Sequence, residues 1–124
     1  MSLRIPRRLR IGGREWRVVL TREAPRFHGR ACYGLCDHNR AVITLWRRRP
    51  RRALEKAFCH ELGHALIGRS WGKWSRAAEE RIVSAMAGPL RALLASDRRW
   101  RAPTRFAGAR GPRARVRPRG MMAG

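Results

Sequence analysis

The stretch Cys59-His60-Glu61-Leu62-Gly63-His64-Ala65-Leu66 decides how the rest of the chain is read. Its two histidines are four positions apart, and in a helix that spacing sets side chains one turn above each other on one face. His60 and His64 can therefore present ring nitrogens to a single cation, with the Glu61 carboxylate beside the open coordination position. The flanking residues support the helix. No proline falls between Arg51 and Ser70, and Leu54, Ala57, Phe58, Leu62, Ala65 and Leu66 recur at spacings of three and four, giving an apolar stripe beside the histidines. Pro50 is a start signal, and Gly68 followed by Ser70-Trp71-Gly72 supplies the stop.

A His-Glu-x-x-His helix is the ligand pattern of zinc peptidases, in which Zn²⁺ acidifies water towards neutrality and the glutamate takes a proton and passes it to the leaving amine. Here that glutamate is Glu61. Two histidines leave such a site incomplete, because catalytic zinc has three protein ligands. One route to a third needs Gly three residues and His six residues after the second histidine, and those positions hold Ile67 and Ser70. The other route is a glutamate from a following helix, and Glu79 and Glu80 are the only acids between the motif and Asp97. Ser75 is a suitable N-cap for that helix, which should run to about Ser96 with Ile82, Val83, Met86, Leu90, Leu93 and Leu94 as apolar positions. Gly88-Pro89 interrupts the pattern, so a kink or a break into two short helices is expected there. Helical phase puts Glu79 along the middle of the Val83/Met86/Leu90 face and Glu80 about a quarter-turn away, towards Val83 and Ala87, so phase by itself points to Glu79.

Upstream of the motif the period changes. Leu9, Ile11, Trp16, Val18 and Leu20 alternate with polar residues on either side of Gly12-Gly13, which reads as a hairpin. Thr21 to Gly29 has no period and reads as a loop. A second hairpin is expected from Arg30 to Cys36 and Ala41 to Trp46, turning at Asp37-His38-Asn39-Arg40. The fold class that follows is α+β: a small antiparallel sheet of two hairpins packed on two main helices. Cys32, Gly34 and Cys36 share one face of their strand, but the Cys-x-x-x-Cys spacing lacks the second pair that structural zinc uses, so these thiols read as packing, as does Cys59.

Thirty basic residues against eight acidic give a net charge of +22, and only Lys56 and Lys73 are lysines. Such a field favours polyanions and acidic surfaces without naming a partner. Arg47-Arg48-Arg49-Pro50-Arg51-Arg52 is the densest run inside the folded part and reads first as a solvated connector. Residues 98–124 hold nine arginines, three prolines and no acid, so the folded domain is expected over 1–97, with 98–124 as a disordered Arg-rich tail able to touch nucleic acid non-specifically. The basic amino terminus lacks a following apolar stretch, no apolar run is long enough to span a membrane, and an odd count of three cysteines fits a reducing compartment, so a cytoplasmic protein is expected.

Four segments together resemble the small phage and mobile-element zinc peptidases of the ImmA/IrrE type, and more loosely SprT-like proteases. They are Ile11-Gly12-Gly13-Arg14 before a strand, Gly34-x-Cys36-Asp37, His60-Glu61-Leu62-Gly63-His64, and Glu80-x-x-Val83-x-x-Met86-Ala87, spread over residues 9 to 96. The resemblance implies a zinc endopeptidase acting on a repressor or other regulatory protein, with His60, His64 and Glu80 as metal ligands and Glu61 as catalytic base. The competing expectation is a basic nucleic-acid-associated protein whose metal site is structural or vestigial. A third is an accessory protein that keeps the fold without turnover.

Overall fold

Gly12 and Gly13 both take positive φ, 58° and 80°, and fold strand β1 (Arg8–Ile11) back onto β2 (Arg14–Thr21). Only residues without a Cβ adopt that pair of conformations cheaply, so the turn and its register, Leu9 opposite Trp16, follow from the sequence. The structure is a computed structural model and describes residues 2–68 and 74–102. Ser70 to Gly72 of the expected helix stop and residues 103–124 of the expected tail lie outside the described residues.

After β2 the chain does not run as a plain loop. His28 and Gly29, at φ 51° and 78°, turn a short hairpin of β3 (Arg26–Phe27) and β4 (Arg30–Ala31). The expected strand from Arg30 to Cys36 is therefore split, and its second half is β5 (Gly34–Asp37), antiparallel to β6 (Val42–Trp46). The Asp37 carboxylate accepts a hydrogen bond from the Arg40 backbone at 3.1 Å, and the Arg14 guanidinium donates to the His38 and Asn39 carbonyls, so the turn between these strands is tied to β2.

The two hairpins share one sheet in the order β1-β2-β6-β5, but they join through β2 and β6 running parallel, with Arg17 opposite Val42 and Thr21 opposite Trp46. The sheet is thus mixed and not wholly antiparallel. Alternation of apolar residues fixes which face a strand buries and is silent on the direction of its neighbour. Trp16, Val18, Ile43 and Leu45 all face one core, which is satisfied with either polarity.

Helix α1 (Arg51–Ile67) lays its apolar stripe on that face. Leu54, Ala57, Phe58, Leu62 and Ala65 are buried against the sheet, and Gly68 ends the helix at φ 58°. Helix α2 (Arg76–Ala95) starts at Ser75, whose hydroxyl accepts from the Ala78 backbone at 3.1 Å, and packs on α1. It passes through Pro89 as one helix, so the anticipated break is absent. Proline removes the donor to the Ala85 carbonyl, and both residues are exposed, where water can satisfy that oxygen.

One buried charge links the elements. Glu55 is 1 % exposed and receives the Arg51 guanidinium at 3.1 Å and that of Arg91 at 2.8 Å, while Arg51 also donates to the Leu3 carbonyl. Leu3 itself is fully buried. Residues 98–102, expected in the tail, lie against this body: Leu3 bridges Arg101, the Arg4 backbone donates to the Trp100 carbonyl at 2.6 Å, and the Trp100 ring sits 6.3 Å from that of Phe58.

Candidate metal centre

Because α1 is regular across the motif, His60 and His64 rise from the same face with ring centroids 5.1 Å apart. Both are half-buried on the side of α1 that meets α2 and β5. Leu62, midway between them in sequence and on the opposite side of the helix, points into the core and anchors the turn that carries them.

Helix α2 brings its glutamates to these rings through a single tight contact. Val83 is fully buried over Gly63, where a Cβ would stand 3.1 Å from Val83 Cγ1. Only glycine lets the helices meet this closely, and Glu80, one turn before Val83 on α2, then arrives over the histidine pair. Glu80 Oε2 lies 2.7 Å from His60 Nε2 and Glu80 Oε1 lies 3.1 Å from His64 Nε2. Ligand atoms of His60, His64 and Glu80 all fall within 4.8 Å of one another, and no other group of three or more His, Cys, Asp and Glu donors is close enough to share an ion among the described residues.

Glu79 takes the other nitrogen. Its Oε2 is 2.6 Å from His64 Nδ1, the position that fixes which ring nitrogen is left to face a metal. Helical phase points to Glu79, but it is Glu80 that meets the two Nε2 atoms, while Glu79 meets the Nδ1 of one ring.

Glu61 lies beside the three donors and is 9 % exposed. Its Cγ would stand 2.9 Å from a Cβ on Gly34, so the glycine of Gly34-x-Cys36-Asp37 is the floor on which this side chain lies. Burial pushes the Glu61 carboxyl up to about 7, with His64 pulling it down and Glu80 pushing it up further. A carboxylate poised near neutrality can both accept and return a proton.

The four residues open into a cleft of about 690 Å³ whose walls include Gly34 and Cys36 from β5, Cys32 and His38 flanking that strand, and Phe27, Trp74 and Arg76 from the rim. Arg76, the first residue of α2, holds its guanidinium 4.7 Å from the centre of the Phe27 ring, which fixes the β3–β4 hairpin to the helix start. Periodicity gave no hint of this rim; the only signal was the His28-Gly29 turn inside a stretch read as loop.

None of the cysteines joins the cluster. Burial, then Glu61, Glu79 and Asp37, push the Cys36 thiol up to about 12, and it rests 3.8 Å from His38 Nε2. Cys59 is buried in the core and is likewise pushed to about 12, mainly by burial. Both are held as thiols, consistent with packing.

No protein-family model, curated protein or solved structure matches this chain. Two imidazoles and one carboxylate, with a further carboxylate on one imidazole, form a donor set that fits a tetrahedral divalent metal and leaves a position free. No helix among the described residues is long and apolar enough to cross a membrane.

Proposed function

We propose that the chain is a zinc-dependent metallopeptidase of the ImmA/IrrE kind. The observation that carries this reading is the approach of His60 Nε2, His64 Nε2 and the Glu80 carboxylate to one point, with Glu61 buried beside them. A divalent ion held by that set, zinc on the chemistry of two imidazoles and a carboxylate, supplies Lewis acidity at neutral pH. His60, His64 and Glu80 would hold the ion, and Glu79, at the Nδ1 of His64, would keep that ring in the required tautomer. Glu61 accepts a proton from the attacking water and delivers it to the leaving nitrogen, the role its raised pKa suits.

The substrate is an extended peptide. β5 is the edge of the sheet and forms one wall of the cleft, so an unfolded segment can pair with it and lay its scissile bond across the centre. β6 lies between β2 and β5 and has no free edge. On the resemblance, the target is a repressor or other regulatory protein in the cytoplasm.

The test is metal content and cleavage measured together. Purified protein should contain one zinc per chain and cleave a subset of proteins in a whole-proteome screen. Glu61→Gln should keep the zinc and lose cleavage, whereas His60→Ala should lose both. Stoichiometric zinc in His60→Ala, or full cleavage by Glu61→Gln, rejects the site.

A further inference from the structure

The face of the sheet turned away from the cleft carries an aromatic and basic corner that the metal site does not use. Gly34 and Cys36 point towards Glu61, so by strand alternation Tyr33 points the other way, as does Trp46, which lies between buried Leu45 and exposed Arg47. The Trp46 backbone donates to the Tyr33 carbonyl at 3.0 Å, which sets the two aromatic residues side by side. Their rings stack within 20° of parallel, 6.4 Å between centroids. The Trp46 indole N–H donates to the Arg22 carbonyl at 3.1 Å and so locks the plane of that ring.

Arginines surround this pair. The Arg49 guanidinium lies 3.9 Å from the centre of the Tyr33 ring and 5.9 Å from that of Trp46. Its Nε is buried without a hydrogen-bond partner, so ring contact and not hydrogen bonding holds it there. Arg47 and Arg48 are exposed and form no ion pair among the described residues. Arg47 is tied by its backbone to the Thr21 carbonyl, which places it next to Arg22 where β2 and β6 end together. Glu23 directly follows Arg22, and Glu55, the acid nearest Arg47 and Arg48 in sequence, is buried and paired with Arg51 and Arg91. Tyr33 remains 54 % exposed, unusually open for an aromatic held in a fixed orientation.

We propose that this corner binds single-stranded nucleic acid, with Tyr33 and Trp46 stacking an unpaired base and Arg22, Arg47 and Arg48 meeting the phosphates that flank it. An acidic protein surface would use the charges and leave the rings idle. A duplex would use the charges too, but its bases are stacked inside and cannot reach the rings. The fixed ring pair next to uncompensated guanidinium groups thus selects an unpaired strand. The inference is independent of the metal-site reading, since it uses the other face of the sheet and none of the same side chains.

The test uses the full chain and two fluorescent probes, a 15-nucleotide oligothymidine and a 15-base-pair duplex, titrated by anisotropy across a salt series. The many other arginines should bind both probes through charge alone. Tyr33→Ala should weaken oligothymidine binding by about tenfold or more, the loss expected for one stacked base, and leave duplex binding unchanged. Tyr33→Phe should bind as wild type, which separates loss of the ring from loss of the fold. Replacing Arg47 and Arg48 together by Gln should reduce the salt slope for oligothymidine by roughly 1.4, from about 0.7 per phosphate contact. Equal loss on both probes in Tyr33→Ala, or no change on either, overturns the proposal.

Discussion

Glu79 and Glu80 are neighbours in sequence with different work, and the difference is measurable. Glu80 faces both Nε2 atoms, so Glu80→Gln should abolish stoichiometric zinc binding at micromolar metal. Glu79 touches only His64 Nδ1, so Glu79→Gln should keep the site and weaken zinc by about 10- to 100-fold, the usual cost of losing such a partner. Competition against a chromophoric chelator reads both; equal effects from the two variants would reject the assignment. Glu61 yields a prediction for the chelator-treated protein. Its carboxyl is raised from 4.5 to about 7 in the fold. A raised acid favours the folded state fully below its unfolded pKa, and that contribution falls as pH rises through the folded value. Metal-free protein should therefore lose stability between pH 5 and pH 8, by at most about 3 kcal/mol from this group. Urea midpoints at the two pH values should differ in wild type and converge in Glu61→Gln. At this scale the sequence disclosed the histidines and Glu61 outright, because i,i+4 spacing is intrinsic to a helix. It did not separate Glu79 from Glu80, because both lie within reach of the same face and only the packing of a second helix distinguishes them.

Between elements, the decisive contact is Gly63 against Val83. A methyl group on Gly63 would press on Val83 Cγ1 at 3.1 Å, so α1 and α2 must part by a few tenths of an ångström. Gly63→Ala should cost on the order of 1 kcal/mol through overpacking and, more tellingly, weaken zinc because Glu80 rides on α2. Adding Val83→Ala to Gly63→Ala restores the space, and the pair should bind zinc more tightly than Gly63→Ala alone; that non-additivity is the signature of direct contact. The Glu55 ion cluster fixes the other end of the same interface. Arg91→Met leaves a carboxylate that is 1 % exposed with only the more solvated Arg51, and should destabilise by about 3 kcal/mol, well above Arg51→Met. Similar costs for the two would mean that the cluster is not shared as the distances imply. Helix positions, caps and the Gly12-Gly13 turn were legible because each has a local cause. The parallel pairing of β2 with β6 and the intact passage through Pro89 were not, since they depend on what the finished core and solvent do with those segments.

Over the whole molecule, the two ends of the described chain close on each other in a way no periodic pattern could announce. Leu3 is fully buried in a stretch too short to show a period, and it is covered by a strap that includes Trp100 and Arg101. The Ala102 backbone donates to the Ser2 carbonyl and the Trp100 ring lies on Phe58, itself fully buried in the centre of α1. The composition of residues 98–102 matches that of the arginine-rich stretch that follows, and a boundary drawn on composition alone falls at 97, inside this strap. Packing places it later. A chain ending at Ala102 keeps every one of these contacts and is the reference for a shorter one. One ending at Ser96 loses the Trp100 contact and four backbone hydrogen bonds, and uncovers Leu3. With about 1 kcal/mol corresponding to some 4–8 °C in a domain of this size, the second truncation should lower the melting temperature by at least 10 °C. Because Phe58 sits one residue from Cys59 and two from His60, zinc affinity should fall in the same variant and hold in the longer one. Equal melting of the two truncations would show that the strap only decorates the fold, and that the histidine helix is supported from the sheet side alone.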